Sequence, residues 1–284
     1  MSEHTLALPA PPDAARRLPL DTGALIASPL LRRVYRPLQP LVEATFGFPA
    51  LRRLYDETFR PGLEGPAYAR EVLARLGVAC DLDATELEPL QRYQGPLLVV
   101  VNHPFGGLDS LGVMLALEAI RPGAWRLFSN QIMSAVPEFE SRMIPVDSLG
   151  VSASSQRVNR RGLADALRHL QQGGVVGAFP AGRVSHRDRQ LGVVCDRAWS
   201  EHVVRLADAS GAAIACLHIP GGNSRSFLRV PRTWFRLRSL LLCRELVRPS
   251  MSTVRVQVAG WYEPGAVRRL AASPAPSAQL RALC

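Results

Sequence analysis

The feature that most limits what this chain can become is the run LLVVV (97–101), followed at once by NHPFGGLD (102–109). Five consecutive apolar residues without alternation predict a strand buried on both faces, as in sheets covered by helices on each side. The next segment is too rich in Gly and Pro to continue a strand and reads as a loop. SLGVMLALEAI (110–120) then predicts a buried helix. Similar apolar runs recur at WRLFS (125–129), RMIPV (142–146), GVVGAFP (174–180), AAIACLHIP (212–220) and VRVQVAGWY (254–262). Helical stretches fall between them at 157–171 and 198–210, stopped by Gly173-Gly174 and by Gly211. Strands alternating with helices predict an α/β fold whose sheet is mixed but largely parallel and flanked by helices.

This α/β region spans 91–265. Before it, residues 1–22 are Pro/Ala-rich and read as a flexible tail, and 23–90 read as an N-terminal helical segment. In that segment Pro29, Pro37 and Pro40 break LIASPLLRRVYRPLQPLVEATFGF (25–48) into short helical pieces carrying Arg32, Arg33 and Arg36. ALRRLYDETFR (50–60) and PAYAREVLARL (66–76) predict two amphipathic helices. Residues 266–284 read as a weakly held C-terminal tail. Glu3, Pro9, Pro11, Pro12 and Asp13 interrupt any apolar leader, and no apolar run reaches the roughly 18 residues of a membrane span.

All 34 basic side chains besides histidine are Arg; against 24 acids they leave a net charge of +10. Without lysine, Schiff-base and P-loop lysine chemistry is excluded. The five cysteines are scattered and form no CxxC pair, so reduced thiols are expected rather than a disulfide framework, and no metal site is expected. The positive charge calls for an anionic partner. RVPRTWFRLRSLLLCRELVR (229–248) sets Trp234, Phe235, Leu237 and Leu240–Leu242 among Arg232, Arg236, Arg238, Arg244 and Arg248, a composition suited to an anionic membrane surface or to packing on the core.

Four segments carry candidate chemistry. His103 stands at the carboxyl end of the buried strand, where α/β proteins place their sites, with Asp109 six residues on. A histidine held by a carboxylate through one ring nitrogen has the other free to act as a base. Six residues do not place two side chains on one helix face, so the pair meets only if Pro104, Phe105, Gly106 and Gly107 fold back. Asp109 also stands where it would cap the helix that follows. FPAGRVS (179–185) ends another strand: Gly182 gives a turn with exposed amides, and Arg183 a bidentate partner for an anion. HIPGGNSRSF (218–227) contributes a Gly-rich loop with Asn223, and RMIPVD (142–147) a strand with Arg142 and Asp147 at its ends. The other histidines lack such company.

In this order NHPFGGLD, IPVD, FPAGRVS and IPGGNS resemble the lysophospholipid acyltransferase family, and most closely its hemolysin-like branch associated with ornithine-lipid and other aminolipid synthesis. Leu54-Tyr55-Asp56 is similar to that branch's N-terminal region, and the resemblance covers roughly residues 45–262. It implies a glycerolipid acyltransferase-like fold. It also implies transfer of a fatty acyl group from an acyl carrier protein or coenzyme A thioester to the hydroxyl of a lysolipid acceptor, with no cofactor beyond that co-substrate. His103 would be the general base and Asp109 its holder. Asn102, Phe105, Gly106, Gly107, Arg142, Phe179, Pro180, Gly182, Arg183, Ser185 and Asn223 would line the substrate site, with the Gly182 amide meeting the oxyanion or the acceptor. A peripheral location on the cytoplasmic face of a bacterial inner membrane follows from the same resemblance.

Two departures sharpen it. The common family spacing is His-x4-Asp, whereas five residues separate the pair here. Ala181 and Arg183 stand where members acting on glycerol phosphate carry Glu and Thr, which favours an aminolipid acceptor with its own carboxylate over lysophosphatidic acid. Other classes fit less well. No nucleic-acid module is visible, no G-x-S-x-G elbow marks a serine hydrolase, and a non-catalytic lipid-binding, hemolysin-like protein would have no use for the His103/Asp109 pair.

Overall fold

The five residues of β2 (Leu97–Val101) are all fully buried, and the reason is visible in their alternation. Leu97, Val99 and Val101 pack into one hydrophobic core and Leu98 and Val100 into another, on opposite faces of a single sheet. Each such side chain contributes about 1.5–3 kcal/mol of transfer free energy. The computed structural model describes residues 22–25, 28–130, 136–148, 150, 152–188, 190 and 192–284. Most of the expected tail at 1–22 lies outside them.

The sheet has seven strands: β1 (Ala79–Leu82), β2, β3 (Trp125–Asn130), β4 (Met143–Val146), β5 (Val175–Ala178), β8 (Ala213–His218) and β9 (Thr253–Tyr262). Its order is β1-β9-β8-β2-β5-β3-β4. Neighbours are parallel except β8 and β9, which run antiparallel with a register shift at Cys216/Leu217. The carboxyl ends of β8, β2, β5, β3 and β4 therefore emerge on one edge. A two-stranded hairpin, β6 (His186–Arg187) and β7 (Val194–Cys195), stands beyond the end of β5. The α/β class and the largely parallel sheet expected from the alternation of runs are what the chain adopts.

On one face lie the helices Leu108–Ile120 and Gly65–Arg75; on the other lie Ala153–Gln171, His202–Ser210 and Pro264–Ala271. At the N-terminal end the prolines act as expected. Helices Pro29–Tyr35, Gln39–Phe46 and Phe48–Thr58 each carry Pro in the first turn, where the missing N–H has no intrahelical partner to lose. Among the described residues no helix is long and apolar enough to cross a membrane.

One expectation is corrected, two elements are added and one alternative is resolved. Residues 266–284 are not a loose tail. They form most of helix Pro264–Ala271 and all of Pro276–Arg281, which bury Val267, Leu270 and Leu280, while the Ser277 hydroxyl donates to the Trp199 carbonyl at 2.9 Å. A few large apolar residues spaced along a helix suffice to anchor it, and average composition hides them. The short strand β1 and the helix Ala84–Arg92, capped by Asp83, went unforeseen. Within 229–248 a helix spans Phe235–Val247, but Arg238 does not face lipid. It is buried, and its guanidinium donates to the carbonyls of Val230 at 3.1 Å and Ser185 at 2.8 Å and covers the Phe227 ring at 4.2 Å.

Candidate active site

The site begins where β2 ends. Asn102 ties that exit to the exit of β8: its side-chain amide donates to the Ile219 carbonyl at 2.8 Å, and its carbonyl accepts the Ile219 amide at 2.7 Å. The chain then turns through His103–Gly107. Gly106 has φ +87°, where a side chain is strained, and a Cβ there would stand 3.0 Å from Leu242 Cδ2 and from Val184 Cγ2, which would have to give way.

The fold-back that the His103/Asp109 spacing requires is present. Asp109 lies in the first turn of helix Leu108–Ile120, fully buried. Its Oδ2 meets His103 Nδ1 at 3.0 Å and accepts the amides of Phe105 at 2.8 Å and Gly106 at 3.0 Å; Oδ1 accepts the Ser110 amide at 2.8 Å. Asp109 is not the cap of this helix, since that position falls to Gly107; its carboxylate instead takes two loop amides and the Ser110 amide while it orients the imidazole. A carboxylate only accepts, so Nδ1 carries the proton and Nε2 offers its lone pair. The ring stacks on Phe179, with centroids 4.1 Å apart, and the side chain keeps 15% of its surface exposed.

Electrostatics follow from this packing. Burial pushes the His103 imidazole towards the neutral form. The charge and hydrogen bond of Asp109, and then the charge of Asp196, outweigh burial, so its pKa lies above the ordinary value. Burial likewise pushes Asp109 upward, but His103 and the Phe105 and Gly106 amides hold it below the usual carboxylate range.

The other segments close around the loop. The Ser185 amide donates to the His103 carbonyl at 2.8 Å, and the Ser185 hydroxyl to Asp196 Oδ1. Asp196 Oδ1 also accepts the His103 amide at 3.2 Å, and its Oδ2 accepts Trp199 Nε1 at 2.8 Å. Asn223, buried, donates to the Phe105 carbonyl at 3.1 Å. The Pro180 carbonyl accepts the Ser200 amide at 3.1 Å. Helix Phe235–Val247 passes over the loop, with Leu246 against Gly107. A cavity of about 460 Å³ opens beside it, lined by Asn102, Pro104, Ser185, Asp196, His218 and Arg281 among others.

The sequence-derived residues therefore separate by place. His103, Asp109, Phe105, Gly106, Gly107 and Phe179 meet in one cluster. Asn102, Pro180, Ser185 and Asn223 hold that cluster through bonds to backbone or to Asp196. The Gly182 amide, expected to meet an oxyanion, donates instead to the Phe179 carbonyl at 2.9 Å, closing the turn in which Gly182 has φ +62°. Arg183 lies over the Phe235 ring at 4.5 Å, and burial, then the charge of Arg197, lower its pKa. Arg142 does not belong to the site. It stands at the amino end of β4, bonded to the Gly123 carbonyl and 5.5 Å from the Trp125 ring. β4 and β3 are parallel to β5 and β2, which puts Arg142 on the edge opposite His103. Asp196 was missed: in CDRAW nothing distinguishes it from an acid ahead of a helix.

An imidazole positioned by a buried carboxylate at the carboxyl end of a parallel strand has the geometry that a general base requires. A family model described as acyltransferase matches residues 61–244, and the chain belongs to that acyltransferase family. Its enzymatic class is therefore acyl transfer. A search of curated proteins finds no match to the chain.

Proposed function

We propose that the chain moves a fatty acyl group from an acyl carrier protein or coenzyme A thioester to the hydroxyl of a lysolipid, favouring lyso-ornithine lipid or a similar aminolipid over lysophosphatidic acid. The observation that carries this is the His103 Nδ1–Asp109 Oδ2 contact of 3.0 Å, which commits Nδ1 to the carboxylate and leaves Nε2 to take a proton. In this mechanism Nε2 takes the acceptor hydroxyl's proton as its oxygen attacks the thioester carbonyl carbon. The tetrahedral oxyanion collapses, the C–S bond breaks, and the imidazolium returns the proton to the departing thiolate. A thioester needs no further activation, so positioning and base catalysis supply the acceleration. Arg183, in the turn after β5, would pair with the carboxylate of the acceptor headgroup.

A membrane-bound acceptor is supported by a different region. Leu30, Leu31, Val34, Leu38 and Leu41, beside Arg32, Arg33 and Arg36, are 54–72% exposed, and Trp234 is 61% exposed. Apolar side chains among cations suit peripheral attachment to an anionic bilayer, here the cytoplasmic face of a bacterial inner membrane.

The test is incubation of the purified protein with acyl carrier protein or coenzyme A thioesters and a panel of lysolipids, read by mass spectrometry. Acylated aminolipid is the expected product, and no transfer to any hydroxyl acceptor would sink the reading. In acceptor competition, Arg183→Ala is expected to lose the preference for carboxylate-bearing lysolipids. An unchanged preference would remove Arg183 from that role.

A further inference from the structure

A second cationic feature lies on the far side of helix Phe235–Val247 from the catalytic loop. Leu242 and Leu246 face Gly106 and Gly107; Arg244 and Arg248 follow each by two residues, about 200° round the helix. They face the junction of Gln39–Phe46 and Phe48–Thr58. There the chain turns at Gly47 (φ +81°), and a Cβ at that position would stand 2.9 Å from Arg244 Cα. The close approach shapes a cavity of about 370 Å³ whose walls include Thr45, Ala50, Arg53, Arg244 and Arg248.

Three arginines and no acidic residue line this cavity, and among the described residues none of the three forms a salt bridge. Three of the nearby acids are engaged elsewhere, while Asp56 stands exposed one turn after Arg53 on the same helix. Glu43 pairs with Arg52 at 2.6 Å, Glu57 with Arg75 at 2.5 Å, and Glu245 accepts the amide and hydroxyl of Ser224 at 2.7 and 2.8 Å. Like charges gathered on one cavity repel unless an anion neutralises them. The first turn of Phe48–Thr58 and the last turn of Gln39–Phe46 both open on this space with dipole potentials of opposite sign, so the positive charge there is that of the arginines. The surroundings narrow the anion's identity. Leu38 and Leu41 precede Thr45 by seven and four residues, share its helix face and are exposed. Apolar surface beside cations matches an amphiphile better than a small solute.

We propose that this cavity seats the phosphate of an anionic phospholipid headgroup, with Arg53, Arg244 and Arg248 as its ligands and Leu38 and Leu41 against the acyl boundary. The inference rests on the membrane reading above and gives that contact a defined site, separate from the acceptor site at His103.

The experiment measures binding to phosphatidylcholine vesicles with and without phosphatidylglycerol, at fixed ionic strength. It compares the wild type, the variant Arg53→Gln/Arg244→Gln/Arg248→Gln, and a charge-matched variant at exposed sites elsewhere, Arg160→Gln/Arg161→Gln/Arg268→Gln. Affinity for the anionic vesicles should fall on the order of 100-fold in the cavity variant. It should fall far less in the charge-matched one, and inorganic phosphate should not displace the wild type. Equal losses in the two variants would overturn the proposal while leaving the membrane reading standing, as would displacement by inorganic phosphate alone. Failure of the wild type to bind either vesicle would overturn both. Should the triple variant not fold, Arg248→Gln alone, at the exposed end of the helix, should weaken binding about fivefold; no change would count against the site.

Discussion

The loop at 102–109 and the helices at 29–46 are built on opposite plans. Around His103 the ring is held by Asp109, the backbone polar groups have partners at three sites distant in sequence, and the loop is roofed by Leu242 and Leu246. Helix Pro29–Tyr35 buries no residue, and its leucines face water. The second region is nevertheless held. Glu43, buried, accepts Thr22 at 2.7 Å, Gln39 at 2.9 Å and Arg52 at 2.6 Å. Polar satisfaction concentrated at one point preorganises an imidazole; the apolar surface left outside is what the proposed bilayer contact would cover. Protein–water contact alone would not favour the latter, which is the physical reason to connect it with lipid.

The comparison breaks first at His103. His103→Ala should lower turnover by about 10²–10⁴-fold and leave the far-UV circular dichroism and vesicle binding unchanged. Near wild-type turnover would end the distinction between a chemical and a lipid-facing region. Asp109→Asn should lower the rate on the order of 10²-fold through a misplaced ring. It also carries a sign. A base must be deprotonated, so wild-type activity rises with pH through a pKa held above 6.5. Removing the carboxylate leaves burial opposed only by the charge of Asp196, so the rising limb of the pH–rate profile should move to lower pH. A limb that stays in place would show that another group titrates.

Asp196→Asn tests whether the missed acid belongs to the preorganised region. Ser185 Oγ, Trp199 Nε1 and the His103 amide all lose a charged acceptor, which should reduce stability by about 1–3 kcal/mol in urea denaturation and lower kcat with it. The opposite plan predicts the smallest effects. Leu31→Ser/Leu41→Ser should change stability by less than about 0.5 kcal/mol, because nothing is buried there, while reducing vesicle binding. A large loss of stability would mean that these leucines serve the fold. Finally, the hydrogen bond from Arg52 outweighs burial and holds Glu43 at about 2, below its ordinary 4.5. Its contribution is therefore complete above the ordinary value and lost as pH falls towards 2. Hydrogen exchange in Gln39–Phe46 should quicken over that acid range before it does in β2.

Legibility followed range. LLVVV announced a strand buried on both faces because it contains no polar residue for either, and the prolines at 29, 37 and 40 announced their breaks through fixed φ. Gly106 and Gly107 signalled a turn able to bring Asp109 back to His103, although the 3.0 Å contact itself had to be seen. Asp196 was illegible because its partners, His103, Ser185 and Trp199, are chosen by the crossing of β2 with the hairpin after β5. Arg142 misled, and Arg238 could not be assigned between lipid and core, for the same reason. A guanidinium reads alike at either end of a sheet and on either side of a helix, while its surroundings decide whether it meets a ligand, a ring or a carbonyl.

What the sequence by itself determined is therefore local and periodic: which segments are strands or helices, where glycine and proline turn the chain, and which histidine has a carboxylate within reach. Only the tertiary structure decided which ends of the strands share an edge, which arginines are consumed by carbonyls, and that the chain's last residues pack on the far face. Those outcomes depend on contacts between residues tens to hundreds of positions apart, where no spacing rule applies and packing complementarity chooses.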